Sequence, residues 1–203
     1  MAEVKGFAER LAERVAATSP LCAGVDPSSK LLAAWGLSDD AKGLEAMGRA
    51  VVEAVVGSAA AIKPQVAYFE RHGSAGYVAL ERVIAAGRDA GLLVVADAKR
   101  NDIDATMSAY AQAWLSDESL LAVDALTVNA YLGLGAMEDC IEMARSSGRG
   151  LFCVVASSNP EGRGLQEAVT ATGRRVEEEL LSELAERNAC LLYTSDAADD
   201  TPC

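Results

Sequence analysis

The chain has 203 residues, of which 51% are hydrophobic, and its formal net charge is −12. This length supports one sizeable core without a second domain, and the negative charge argues against a nucleic-acid partner or an anionic membrane surface. The amino end shows no basic segment leading into an apolar one, and no apolar run reaches membrane-spanning length, so we expect a cytoplasmic protein.

Helices and strands alternate along the predicted elements. Apolar residues at helical spacing define the helices, and short apolar runs that end in polar residues define the strands. The predicted order is helix 5–17, strand 20–26, helix 38–56, strand 59–65, helix 74–90, a strand from 92, helix 105–115, strand 122–131, helix 134–148, strand 150–160 and helix 173–189. This order predicts an α/β fold with a parallel sheet and right-handed crossovers.

Polar residues stand at the carboxyl ends of the successive strands. They are Asp26, Lys63, Asp97 with Lys99, Asn129, and Ser157 with Ser158. In a barrel these strand ends surround one mouth, whereas an open sheet uses mainly its switch point. No GxGxxG or P-loop motif follows the first strand, so the pattern favours a (β/α)₈ TIM barrel.

In the stretch LLVVADAKRNDIDATMSAY, residues 92–110, an apolar run breaks abruptly into five charged residues. Asp97 and Lys99 are two apart on a strand and are expected to share a face, with Asp102 following from the turn. Three charges in one small volume are costly to bury unless they compensate each other, which points to a functional cluster. A solvated strand end with a surface ion pair is the alternative interpretation.

The histidine and the cysteines give weaker evidence for a functional site. His72 is the single histidine, so a triad or a histidine-based metal site would depend entirely on it, and we expect it to be structural. The five cysteines show no CxxC spacing and are expected to be reduced.

Several ordered motifs resemble one enzyme family. The segment DAKRNDIDAT, residues 97–106, is similar to the Asp-x-Lys-x-x-Asp-Ile signature of orotidine 5′-monophosphate decarboxylases, particularly their bacterial branch. Further similarity lies in LCAGVDPSSKLLAAWGL, IKPQVAYFERHGSAGYVALERVI, LTVNAYLGLGAME and SSNPEGRGLQ, and together it covers almost all of residues 20–189.

The resemblance implies a homodimer of barrels that converts orotidylate to UMP with no metal and no organic cofactor. It assigns Lys99 as the proton donor to C6, Asp97 as the neighbour of the departing carboxylate and Lys63 as a bridge in the charged array. It also implies that Asp26 binds the ribose, that Asp102 and Thr106 reach the partner's site, and that Ser158 approaches the pyrimidine. Ile103 and Asn129 complete the implied substrate-binding set.

Three residues depart from the pattern of the family that the sequence resembles. Asn101 and Asp104 stand where glycine is usual, and Ala130 stands where proline is usual. Asp104 adds a charge beside the array, which could lower activity, but we expect its side chain to cap the following helix.

The barrel needs eight strands, and about five are predicted, so residues 1–189 are expected to form a partial barrel. The strands that carry the phosphate-binding loops in the family that the sequence resembles are not found. Residues 190–203 resemble the translation of a DNA-library adapter and are expected to be a non-native tail, although a genuine acidic tail is the alternative. Open sheet edges and lost phosphate contacts predict little or no activity for the chain as written.

Two other functions stay open from the sequence. One is a sugar-phosphate aldolase or synthase of the same suprafamily, which would use Mg²⁺ with the acid and lysine array. The other is a ligand-binding fragment without catalysis.

Overall fold

The computed structural model describes residues 5–189, which form one five-stranded parallel sheet surrounded by helices. The strands are β1 Cys22–Val25, β2 Ala61–Pro64, β3 Leu93–Arg100, β4 Ala125–Asn129 and β5 Gly150–Val154. The helices are α1 Phe7–Ala17, α2 Ser29–Ala34, α3 Ala41–Val55, α4 Val66–Glu70, α5 Gly73–Asp89, α6 Asp104–Leu115, α7 Glu138–Ser146, α8 Arg163–Gln166 and α9 Val176–Ala189. Short 3₁₀ segments lie at Leu134–Met137 and Pro160–Gly162.

The spatial order of the strands is their chain order, β1-β2-β3-β4-β5, and every neighbouring pair is parallel. This confirms the predicted α/β class and the first five units of a barrel. The predicted tail at 190–203 lies outside the described residues.

Three short helices, α2, α4 and α8, were not predicted from the sequence, because none is long enough to show helical periodicity. One side chain caps the amino end of α3. The Asp40 carboxylate accepts hydrogen bonds from the amides of Lys42 and Gly43, both at 2.9 Å. Gly91 has φ of +74° and follows Ala90, the C-cap residue of α5, which is the usual place for a glycine that ends a helix.

The sheet separates two apolar layers. The larger one packs the outer side chains of the strands against the helices and includes Trp114, Phe69 and Leu126. The smaller one lies on the other face and joins Phe7 of α1 to Leu93 and other side chains of β2, β3 and β4. The Phe7 ring also meets the Phe152 ring edge-on at 5.8 Å, so α1 closes the amino end of the curved sheet.

The described sheet has two open edges, β1 and β5. Strands β2 to β4 are mostly buried, whereas Cys22 and Gly24 of β1 and Phe152 of β5 are exposed. Unpaired strand edges are sites where further strands pair. None of the helices within residues 5–189 is both long and apolar enough to cross a membrane.

Asp124, just before β4, ties three elements together at the amino end of the sheet. Its Oδ2 accepts the Val94 amide at 2.9 Å, its Oδ1 pairs with Arg10, and Arg10 also donates to the Gly148 carbonyl at 3.0 Å. We therefore predict that Asp124→Ala lowers the free energy of unfolding by about 1–3 kcal/mol, because the buried Val94 amide loses its acceptor.

Urea unfolding measures this loss, and Glu142→Ala is the matched control. Glu142 forms an exposed ion pair with Arg145, so its removal should change stability by less than about 1 kcal/mol. Equal effects of the two substitutions would contradict the structural role given to Asp124.

Candidate active site

Asp97 is the centre of the charged cluster. Its carboxylate is buried and accepts four hydrogen bonds, two on each oxygen. Lys99 Nζ lies 2.5 Å and Thr127 Oγ1 3.2 Å from Oδ1, while Lys63 Nζ lies 2.9 Å and Gln65 Nε2 3.0 Å from Oδ2. A carboxylate has about four lone-pair positions, so Asp97 is fully occupied by donors.

The two lysines keep Asp97 ionised. Burial disfavours the charge of Asp97, but hydrogen bonds from Lys99 and Lys63 outweigh it and hold the pKa of Asp97 below its usual value. Burial also opposes the charge of Lys63, yet its hydrogen bond to Asp97 leaves the pKa of Lys63 raised. Both partners therefore stay charged near neutral pH.

Asp26 completes the acidic side of the array from the end of β1. It is half-buried, and burial raises the pKa of Asp26 because the charge of Lys63 offsets the loss of solvation incompletely. A carboxylate that is left short of partners in this way is available to a ligand.

The carboxyl end of β3 does not continue as a regular strand. The pairing of β3 with β4 shifts between Ala96 and Arg100, and Lys99 has φ of +48°. Asp97 and Lys99 do meet, as their spacing predicted, but across an irregular backbone. Strand alternation therefore correctly predicted that the two side chains meet, but it did not predict the irregular backbone between them.

Arg100 anchors this irregular end to the helices. Its guanidinium pairs with Glu70 of α4 and lies 5.4 Å from the Tyr110 ring centre and 5.7 Å from that of Trp114. Tyr77 donates to the same Glu70 carboxylate at 2.7 Å. Burial disfavours the Glu70 charge, but the Tyr77 and Arg100 hydrogen bonds hold the pKa of Glu70 below its usual value.

The remaining predicted site residues are not joined to Asp97 in the described structure. Asp102 accepts the Ile103 amide at 2.9 Å and forms no ion pair within residues 5–189, so its place in the charged cluster stays a prediction. Ile103, Thr106 and Ser158 are exposed, and the Asn129 side chain accepts the Tyr131 amide at 2.9 Å. Their roles toward a ligand or a partner stay predictions.

His72 has a local contact, as expected for a structural residue. Its Nε2 lies 3.3 Å from Asp39, whose carboxylate is also bound by Arg71. The Arg71 hydrogen bonds lower the pKa of Asp39 to about 2. No group of three or more His, Cys, Asp or Glu within residues 5–189 is arranged to hold a metal ion.

The sequence comparison decides the family. A family model described as Orotidine 5'-phosphate decarboxylase / HUMPS family matches residues 19–193. The chain belongs to this family.

Two relatives of this family are named orotidine 5'-phosphate decarboxylase. The Streptomyces coelicolor protein is 49% identical over 183 residues, which is 90% of this chain and 66% of the relative. The Corynebacterium efficiens protein is 45% identical over 183 residues, which is 90% of this chain and 65% of the relative. The chain thus spans about two thirds of the length of either relative.

Solved structures of the family share the fold. The Streptomyces avermitilis protein, described as a proposed orotidine 5'-phosphate decarboxylase, is 50% identical with a TM-score of 0.89, covering 92% of this chain and 66% of that one. The Leishmania donovani OMP decarboxylase is 31% identical with a TM-score of 0.72, covering 86% of this chain and 63% of that one.

Two side chains that hydrogen-bond Asp97 were missed from the sequence. Gln65 lies two residues after Lys63, and Thr127 lies two residues before Asn129, so strand alternation places each on the face of a predicted site residue. Applying that alternation to every strand end would have found both.

The prediction that Asp104 caps α6 is wrong. Ile103 is the capping residue, no side chain caps the helix, and Asp104 is its first residue with φ of +49°. This left-handed conformation explains why glycine suits the position, since a Cβ is disfavoured there. Of the other two departures, Ala130 is buried, and the buried Asn101 Oδ1 has no hydrogen-bond partner among the described residues.

Asp104 provides a test of backbone strain beside the site. We predict that Asp104→Gly is more stable than Asp104→Ala by about 1 kcal/mol, because only glycine adopts the left-handed region without cost. Thermal and urea unfolding of the two variants measure the difference. A less stable glycine variant would mean that α6 begins with an ordinary helical conformation.

Proposed function

We propose that the protein, at the length of its relatives, is an orotidine 5′-monophosphate decarboxylase that converts orotidylate to UMP and CO₂. The observation that carries the proposal is the Lys63–Asp97–Lys99 array at the mouth of the parallel sheet, with Asp26 beside it. The identity to relatives named as this enzyme supports the choice of substrate.

The chemistry demands such an array. The bond between C6 of the pyrimidine and its carboxylate breaks, CO₂ leaves, and the electron pair stays on C6, which has no adjacent electron sink. A fixed positive charge stabilises this carbanion, and an ammonium can then give it a proton. Lys99 does both and later regains its proton from solvent.

Asp97 has two parts in this proposal. It holds both lysine side chains in place, and its charge lies next to the substrate carboxylate, which is repelled more before CO₂ leaves than afterwards. Lys63 extends the array toward Asp26, and Asp26 accepts hydrogen bonds from the ribose.

The other residues act at the edges of the substrate. Ser158 and Asn129 contact the nucleotide, and Asp102, Ile103 and Thr106 reach the site of a second copy in a homodimer. The exposure of Ile103 and Thr106 suits an interface. The proposed place of action is the cytoplasm, and the net charge of −12 argues for a small nucleotide substrate and against a nucleic-acid partner.

The test uses two proteins. One is the chain itself, and the other is the extended protein, in which residues up to Ala189 are continued by the corresponding last third of the Streptomyces coelicolor relative. Loss of orotidylate absorbance should be rapid with the extended protein and slight with the chain. A folded extended protein without turnover would contradict the proposal, and turnover of a pentose phosphate that requires Mg²⁺ would favour the aldolase or synthase.

A further inference from the structure

The hydroxyl of Thr127 faces the irregular segment of β3. Ala96 pairs with Leu126 and Arg100 pairs with Val128, so residues 97–99 stand opposite Thr127 alone. Extra residues in one strand interrupt the ladder and leave backbone amides without their usual acceptors. Thr127 lies where those acceptors are missing.

One side chain satisfies the interrupted ladder. Thr127 Oγ1 accepts the Ala98 amide at 2.9 Å and the Lys99 amide at 2.8 Å, and it donates to Asp97 Oδ1 at 3.2 Å. A hydroxyl has one proton to donate and two lone pairs, so its full capacity is used. Thr127 is also buried, which shields these bonds from water.

The backbone that Thr127 holds is strained. Lys99 has φ of +48°, a conformation that a residue with a Cβ keeps only when its surroundings impose it. The hydrogen bonds from the Ala98 and Lys99 amides to Thr127 Oγ1 impose it. The hydrogen bond from Thr127 to Asp97 turns the Asp97 carboxylate toward Lys99 Nζ. The direction of the Lys99 ammonium therefore depends on a side chain whose hydrogen bonds go to the backbone and to Asp97 and not to that ammonium.

We propose that Thr127 is the positioning residue for the proton donor: its hydroxyl fixes the Lys99 backbone and the Asp97 carboxylate in the geometry that directs Lys99 Nζ into the site. This inference rests on the proposed decarboxylase function. Its structural part is the set of hydrogen bonds that hold the backbone of β3, and these bonds can be tested without substrate.

The kinetic test compares three variants of the extended protein. Thr127→Val keeps the shape but removes the hydroxyl, and we expect kcat to fall by about 10–100-fold with little change in KM. Thr127→Ser keeps the hydroxyl and should retain most of kcat. Thr18→Val is the matched control, since Thr18 also uses its hydroxyl, in a bond of 2.7 Å to the Arg14 carbonyl at the end of α1.

The structural test uses amide hydrogen exchange in the chain itself. In Thr127→Val the Ala98 and Lys99 amides should exchange at least about tenfold faster, because each loses its acceptor. Should the valine variant fail to fold, Thr127→Ala against Thr127→Ser makes the same comparison with smaller side chains.

The outcomes separate the two proposals. An extended protein without turnover contradicts the decarboxylase function, and the exchange rates then decide the inference alone. Unchanged exchange at Ala98 and Lys99, or an unchanged kcat in the variant that lacks the hydroxyl, would overturn the role of Thr127. Faster exchange with a reduced kcat that serine restores supports it.

Discussion

Replacing Lys99 by alanine is expected to lower kcat of the extended protein by at least about 1,000-fold. General acid catalysis contributes about 10²–10⁴-fold, and the same ammonium also stabilises charge on C6. The ion pair with Asp97 at 2.5 Å holds the Lys99 ammonium in place, and Lys63, which pairs with the other oxygen of Asp97, is not expected to replace it as the proton donor. The decline should appear mainly in kcat, since Lys99 acts on the reacting carbon.

Orotidylate turnover, followed by absorbance, measures the effect. Lys42→Ala is the matched control, because Lys42 is exposed on α3 and should be dispensable. If Lys99→Ala turned over like the Lys42 variant, Lys99 would have no part in the mechanism.

Replacing Asp97 by asparagine is expected to lower kcat by about 10²–10³-fold. The side chain holds Lys63 and Lys99 through one hydrogen bond each, and an asparagine amide turns one acceptor into a donor that faces an ammonium. Removing one member of a buried ion pair leaves the other charges unpaired, at a cost of about 3–5 kcal/mol when the group is fully buried. Here both lysines are partly exposed, so we expect the free-energy cost to be smaller than this.

The lowered pKa of Asp97 also predicts how the stability of the chain depends on pH. Because the folded-state pKa of Asp97 is lowered, its contribution is present above the unfolded-state value of about 3.9 and is lost as pH falls through the folded-state value. Asp97→Asn should therefore be less stable than the unchanged chain at pH 7, and the difference should shrink in acid. Urea unfolding from neutral to acidic pH tests this, and a difference that stays constant would contradict it.

The fold was predictable to the level of element order. Apolar runs that end in Asp26, Lys63 and Asp97 predicted the parallel strands, and the placement of polar residues at their carboxyl ends predicted the shared mouth. The short helices α2, α4 and α8 were not predictable, because helices of six, five and four residues show too little periodicity.

Contacts in the site that depend on residue type were predictable, whereas those that depend on backbone conformation were not. The pairing of Asp97 with Lys99 followed from opposite charges at close spacing. The left-handed backbone at Lys99 and Asp104 did not, since lysine gives no signal for it, aspartate gives only a weak one, and neighbouring contacts impose it. Asp104 does not cap α6 because it is already the first residue of that helix, and Ile103 occupies the capping position.

Exchange of the C6 hydrogen of UMP with solvent deuterium is the most direct measurement of the central claim. Removal of that hydrogen is the reverse of the step in which Lys99 protonates C6, so the same residue must catalyse both. The extended protein should exchange the C6 hydrogen of UMP in D₂O, and its Lys99→Ala variant should not. Equal exchange by both proteins would show that the proton comes from another group.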